Sequence, residues 1–198
     1  MSLIAIRIVK KIIKSPINIT NYIINCTTLK LHDVKKGKNL HINGRLIVKG
    51  TNLSFGNNVR INSGKKYNII GGDIQAAFVI RDNACIVIGN NVGISNSTFV
   101  AQEKIIVEDD VLFGGGCKIY DNDFHSVAYL HRMQKSDFSV QSRPIIIKRG
   151  AFIGAHVIIL KGVTVGEKSV IGAGTVLTKN VPSHEIWAGN PACFIRKI

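Results

Sequence analysis

The chain has 198 residues, is 45% hydrophobic and 19% charged, and carries 19 Gly and 4 Pro, a composition that excludes a disordered or collagen-like chain and permits one sizeable core or two small ones. The net charge of +14 is concentrated: residues 1–68 hold 13 Lys and Arg against the single acid Asp33, whereas residues 69–198 hold 13 against 11 acids. No recognition-helix, zinc-finger or aromatic ribonucleoprotein pattern accompanies the basic third, so nucleic acid is set aside, leaving an anionic membrane surface, an acidic glycan or an acidic cofactor as partners.

Residues 1–30 are predicted as a helical, amphipathic segment. Arg7, Lys10, Lys11 and Lys14 share one helical face, Leu3, Ile4, Ile6, Val9, Ile12 and Ile13 fill much of the rest, and Pro16 ends the run. Two readings stand: a helix packing on a coil end or a neighbouring subunit, or a basic helix lying on an anionic membrane. The lysines also break any signal-peptide pattern, and no apolar run approaches the roughly 20 residues of a membrane-spanning helix. Cys26, Cys85, Cys117 and Cys193 lie far apart. With no secretion signal they read as reduced thiols of a cytoplasmic chain, able through its N-terminal helix to sit at the inner face of the membrane.

Residues 31–187 form the second predicted unit. Phe55 and Ile61 fit one weak six-residue repeat, with no steady register before them. Ile88, Ile94 and Val100 then recur at six, as do Val107, Phe113 and Ile119 after a spacing of seven, which predicts one bulged residue. From Ile147 the period is unbroken through Ile153, Ile159, Val165, Ile171 and Leu177. Small or β-branched residues stand four places after each member of this last run, among them Ala151, Val157, Val163 and Thr175, and Val111 and Cys117 hold the same place in the preceding block. Between Ile119 and Ile147 the spacing is 28, so an excursion, assigned to residues 126–146, must leave the repeat. A strand of about five residues plus a tight turn makes one flat side, and three sides close a triangular coil of about 18 residues with the aliphatic residue pointing inward. Residues 188–198 are a C-terminal tail.

The hexapeptide run, the sequence Asp121-Asn122-Asp123-Phe124-His125 and the ending Ala188-Gly189-Asn190-Pro191-Ala192 together resemble the hexapeptide-repeat acetyltransferases, in particular the sugar and polysaccharide O-acetyltransferases related to maltose and galactoside acetyltransferases. The resemblance covers about residues 80–198. It implies an all-β fold, a left-handed parallel β-helix, with the short N-terminal helix and extruded loop added. It also implies acetyl-CoA as co-substrate, no metal, a homotrimer with active sites between subunits, and a sugar acceptor, a precursor of surface polysaccharide such as capsule or O-antigen.

His125 sits where the repeat breaks, and an imidazole, with an unperturbed pKa of about 6.5, suits removal of a hydroxyl proton; in the family the matching histidine is that base. Asp123, or Asp121, could hold its second nitrogen. The family also implies Ala155, Ala173, Thr178, Lys179 and Arg196 as cofactor contacts. Phe152 stands where many relatives have Trp, and Cys193 where they have Lys or Arg. Asn96, Arg132 and Arg143 are the acceptor-side candidates, and the oxyanion donor is a backbone N–H near Gly115 or Gly116, or one from across the interface. Cys117, in a small corner position, reads as structural, which implies direct transfer. Three rivals remain: an N-acetyltransferase on a nucleotide-linked amino sugar, a zinc hydratase on the same prism (for which His125, His131 and His156 have the wrong spacing), and a non-catalytic scaffold.

Overall fold

A computed structural model describes residues 18–81, 83–134 and 139–198; the basic helix expected over the first fifteen residues lies outside them. Each coil has three short strands. The first comprises β1 (Lys35–Lys36), β2 (His41–Gly44) and β3 (Ile47–Lys49). The second comprises β4 (Leu53–Phe55), β5 (Arg60–Ser63) and β6 (Ala77–Ile80). The third comprises β7 (Cys85–Ile88), β8 (Gly93–Ser95) and β9 (Thr98–Ala101), and the fourth β10 (Lys104–Val107), β11 (Leu112–Gly115) and β12 (Lys118–Tyr120). The fifth and sixth are β13 (Ile145–Ile147), β14 (Phe152–Ile153), β15 (Ile158–Leu160), β16 (Thr164–Val165), β17 (Val170–Ile171) and β18 (Val176–Leu177). Every third strand stacks in parallel, giving three sheets: sheet one from β1 to β16, sheet two from β2 to β17, and sheet three from β3 to β18. β19 (Glu185–Ala188) extends sheet two, and β20 (Cys193–Lys197) folds back antiparallel on it.

The core is three inward columns. Phe55, Ile88, Val107, Ile147 and Val165 descend sheet one, and Ile61, Ile94, Phe113, Ile153 and Ile171 descend sheet two. On sheet three, Phe78 lies against Phe99 with ring centroids 4.9 Å apart and planes 5° from parallel, while Phe55 and Phe113 meet this pair edge-on at 5.3 Å. Aromatic contacts of these geometries add to the stabilisation from buried area. The expected register is corrected here: Phe99, not Val100, aligns with Ile119 and Phe78. A large flat ring fills the prism where two other phenylalanines wait for it, so the chain tightens by one residue before β9 and loosens after it. Upstream, where no steady register was expected, the first coil is fully formed.

The corner between sheets one and two repeats a left-handed residue, Asn39, Asn58, Asn91 and Asp110, with φ of 59°, 57°, 56° and 61°. Asn and Asp tolerate that conformation. Stacked one above another, they join in a side-chain ladder, Asn39 to Asn58 (3.0 Å), Asn58 to Asn91 (3.0 Å) and Asn91 to Asp110 (2.8 Å).

Two segments leave the prism, each at a corner: residues 64–76 between β5 and β6, which the period did not foretell, and residues 121–144 between β12 and β13. A helix, α1, covers residues 18–31 and packs on the first coil through buried Leu29 and Asn25, whose amide donates to Gly44 O (2.8 Å) and accepts from Leu46 N–H (2.9 Å). Among the described residues no helix is long and apolar enough to cross a membrane.

The register correction is testable by chemical denaturation. Phe99→Ala is expected to cost about 3–5 kcal/mol of stability and Val100→Ala a small fraction of that; equal losses would contradict the assigned register.

Candidate active site

β12 runs out of the prism into the turn that carries His125. Asp121, fully buried, accepts the backbone N–H groups of Gln102, Glu103 and Lys104, each at 2.8 Å. It clamps the turn that opens β10, which corrects its candidacy as the partner of an imidazole. Asn122, also buried, donates to Asp121 (3.1 Å) and accepts the N–H of Phe124 (2.9 Å). This Asx turn holds Phe124 at φ 61° and brings the His125 N–H to Asp123 O at 2.6 Å. The local chain is thus specified by its own side chains, and it leaves His125 exposed. Phe124 meets the ring of Tyr120 edge-on at 5.0 Å, and burial pushes the Tyr120 phenol pKa up.

Asp123 forms an ion pair with Lys161, which follows β15 on the fifth coil. Sequence reasoning missed Lys161: the excursion between the coils hides which residue of the next coil lies beneath Asp123.

The acceptor-side candidates divide. Arg132, at the end of the single turn α2 (Tyr129–Arg132), donates to the carbonyls of Ser126 (2.9 Å) and Val127 (3.0 Å), so it closes its own loop. Arg143 is exposed with its backbone tied to Asp121 and Gly162, and its side chain lies across Gly162, where an added Cβ would come within 3.2 Å of Arg143 Cδ. Asn96 is corrected: it is fully buried, donates to the carbonyls of Asn68 (2.8 Å) and Gly72 (3.4 Å), and accepts the N–H of Gly64 (2.8 Å). Its amide anchors loop 64–76 rather than facing a ligand.

The cofactor candidates fall in three places on one chain. Ala155 and Ala173 stand on adjacent coils at the corner of sheets two and three, where Gly174 N–H donates to Ala155 O at 2.8 Å. A Cβ on Gly154 would come within 2.7 Å of Ala173 N, and one on Gly114 within 2.5 Å of Ala155 N. The corner is therefore a tight column of small residues with bare backbone, a shape that an extended ligand can approach closely. Thr178 and Lys179 are exposed at the other end of sheet three, just past β18. Phe152, 47% exposed, and Arg196 share a register column of sheet two through Val170 and Ile186. The two glycines suggested for an oxyanion donor are both enclosed within one chain. Gly116 N–H donates to Ser95 O (3.2 Å), and Gly71 of loop 64–76 covers Gly115 so closely that a Cβ there would come within 2.6 Å of its nitrogen.

Cys117 is buried with its sulfur 3.1 Å from Gly154 O, and burial pushes its thiol pKa up, a packing residue rather than a nucleophile. His131 Nδ1 lies 2.7 Å from Ser139 Oγ, and His156 sits at the corner of sheets two and three with its N–H on Gly115 O. Among the described residues no three His, Cys, Asp or Glu side chains group as a metal site.

Residues 144–179 match the family described as "Hexapeptide repeat of succinyl-transferase". The chain is 36% identical over 113 residues to a galactoside O-acetyltransferase of Escherichia coli (strain K12), an alignment covering 56% of each protein. The chain thus spans about half the length of that curated relative. Among solved structures it is similar to an N-acyltransferase from Bacillus cereus, AntD, crystallised with dTDP-4-amino-4,6-dideoxyglucose and coenzyme A (23% identity, TM-score 0.68, 85% of this chain and 86% of that one). It is also similar to a hexapeptide-repeat acetyltransferase from Vibrio cholerae complexed with acetyl coenzyme A (24% identity, TM-score 0.56, 87% and 74%). The fold is a left-handed parallel β-helix, and the resemblance to hexapeptide-repeat acetyltransferases holds in both sequence and architecture. That hand departs from the usual right-handed crossover.

Two outcomes follow from this geometry. Asp121→Ala, which strands three backbone donors, is expected to lower stability by roughly 2–5 kcal/mol, measured by denaturant unfolding. In the native protein, exposed Cys26 and Cys193 should be alkylated quickly and Cys117 only on unfolding, as mass spectrometry of the modified peptides would read; rapid native labelling of Cys117 would contradict its assignment.

Proposed function

We propose that the chain is an acetyl-CoA-dependent O-acetyltransferase that acetylates a hydroxyl of a sugar destined for surface polysaccharide. The observation that carries this reading is the turn Asp121–His125: it presents an exposed imidazole at the mouth of the excursion, beside the Asp123–Lys161 pair, in a chain similar to a galactoside O-acetyltransferase over 113 residues. His125 takes the proton as the sugar oxygen attacks the thioester carbonyl. The new C–O bond forms, the C–S bond breaks, and the proton passes from the imidazolium to the departing thiolate. With Cys117 buried, transfer is direct. Asp123, paired with Lys161, is the candidate that orients the imidazole.

The column of Ala155 and Ala173 suits a pantetheine arm, and Lys179 and Arg196 suit phosphates. On one chain these groups face different sides of the prism. A homotrimer, in which the corner of one subunit faces the far edge of sheet three on the next, joins them in one site. Four free thiols suit a reducing compartment. The likeness to an N-acyltransferase crystallised with a nucleotide-linked amino sugar favours a second reading, transfer to an amine.

Release of coenzyme A thiol, followed with acetyl-CoA and a panel of simple sugars, acidic oligosaccharides and nucleotide amino sugars, tests both. His125→Ala is expected to lower acceptor-dependent kcat by about 10²-fold or more, and Asp123→Asn by less. Unchanged release in His125→Ala would remove the base assignment, and turnover confined to amino sugars would replace the O-transfer reading by the N-transfer one.

A further inference from the structure

We propose that the N-terminal end of the prism, α1 with the first two coils, is a docking surface for an anionic lipid bilayer. In a β-helix, position along the chain becomes height along the axis, so the charge asymmetry of the sequence becomes an asymmetry of the molecule. Within residues 18–68 nine Lys and Arg stand against Asp33, and all nine are exposed. They lie around α1. Lys30 is on the helix, and Lys36 lines a cleft of about 380 Å³ between α1 and β2 together with Tyr22, Cys26 and His41. Arg45, Lys65 and Lys66 line a groove on the other flank beside Asn21. Lys65 is also paired with exposed Asp73 at 3.1 Å.

The second observation is apolar. α1 turns Asn25 and Leu29 into the molecule, and this leaves Ile19 and Ile23, at i and i+4, 57% and 58% exposed on its outer side, with Tyr22, 70% exposed, at the mouth of the adjoining cleft. An apolar stripe within a cationic surround is the signature of a helix lying in a membrane interface, where side chains enter the acyl boundary while lysines meet anionic headgroups. A soluble acidic polymer would engage the cations and have no use for the stripe, which is why the bilayer is favoured. The surface stands on residues 18–68 alone and does not depend on the acyl-transfer reading.

Co-sedimentation of the full chain with phosphatidylcholine vesicles, with and without roughly 30 mol% phosphatidylglycerol, tests it. Binding is expected only to the anionic vesicles and should weaken as salt rises. The triple variant Lys30→Glu, Lys35→Glu, Lys36→Glu should bind at least about tenfold more weakly, and Ile19→Ser with Ile23→Ser should also lose binding. Reversing the same number of charges at the other end, in Arg149→Glu, Lys168→Glu, Lys197→Glu, should leave binding near wild type; circular dichroism of each variant identifies any that fails to fold. Equal binding to neutral vesicles, or wild-type binding by the Lys30 triple variant, would overturn the proposal. If polyglutamate binds in a way that needs the lysines while the Ile19/Ile23 variant still sediments normally with vesicles, the end is a polyanion site and not a membrane surface.

Discussion

Everything in this molecule depends on the closure of each coil: three short sides must bring the chain back one strand spacing further along the axis, in register, so that each inward side chain lands on the one before it. A side cannot absorb an extra residue without turning its inward residue outward. Insertions must therefore leave at corners, and both do, at 64–76 and 121–144. Each corner that opens is tied to a neighbouring coil by one fully buried polar side chain. Asn96 holds the first excursion with three hydrogen bonds, and Asp121 holds the turn beside the second with three backbone N–H contacts. Among the described residues no buried side-chain nitrogen or oxygen lacks a partner, as a dry prism requires.

The same closure orders function along the axis. With coils about 4.8 Å apart, the fourth coil, which leads into His125, lies about 14 Å from the first. The strongly basic coils and α1 occupy one end, whereas residues 69–198, with 13 Lys and Arg against 11 acids, are close to balanced. The reactive turn is in between, where neither end needs to change for it to work. The prism supplies rigidity, and the chemistry is carried by what is extruded from it.

The site also shows how a stacked fold joins residues that chain order separates. Asp123 and Lys161 lie 38 positions apart, yet they meet because the coils stack directly. Phe152 and Arg196 come into one column only through Val170, Ile186 and the final hairpin. Conversely, Ala173 and Lys179, six residues apart, sit at opposite ends of one flat side and face different directions.

The sequence by itself determined the prism: a six-residue period with aliphatic residues inward from Ile147 to Leu177, turn-forming Asn and Gly at the corners, and the need for an excursion somewhere between Ile119 and Ile147. These are legible because each follows from local geometry repeated many times. The motif around His125 was legible too, since Asx residues build that turn from their own side chains. The tertiary structure alone decided what depends on which coil lies beneath which. Phe99 displaced Val100 because Phe78 and Phe113 were in place to receive it. Asn96 and Asp121 became buried staples because a neighbouring turn lay within reach, and Lys161 joined the site because it sits one coil on. The first coil and loop 64–76 escaped the period because their contacts run between coils, and a period reports only the contacts that repeat along the chain.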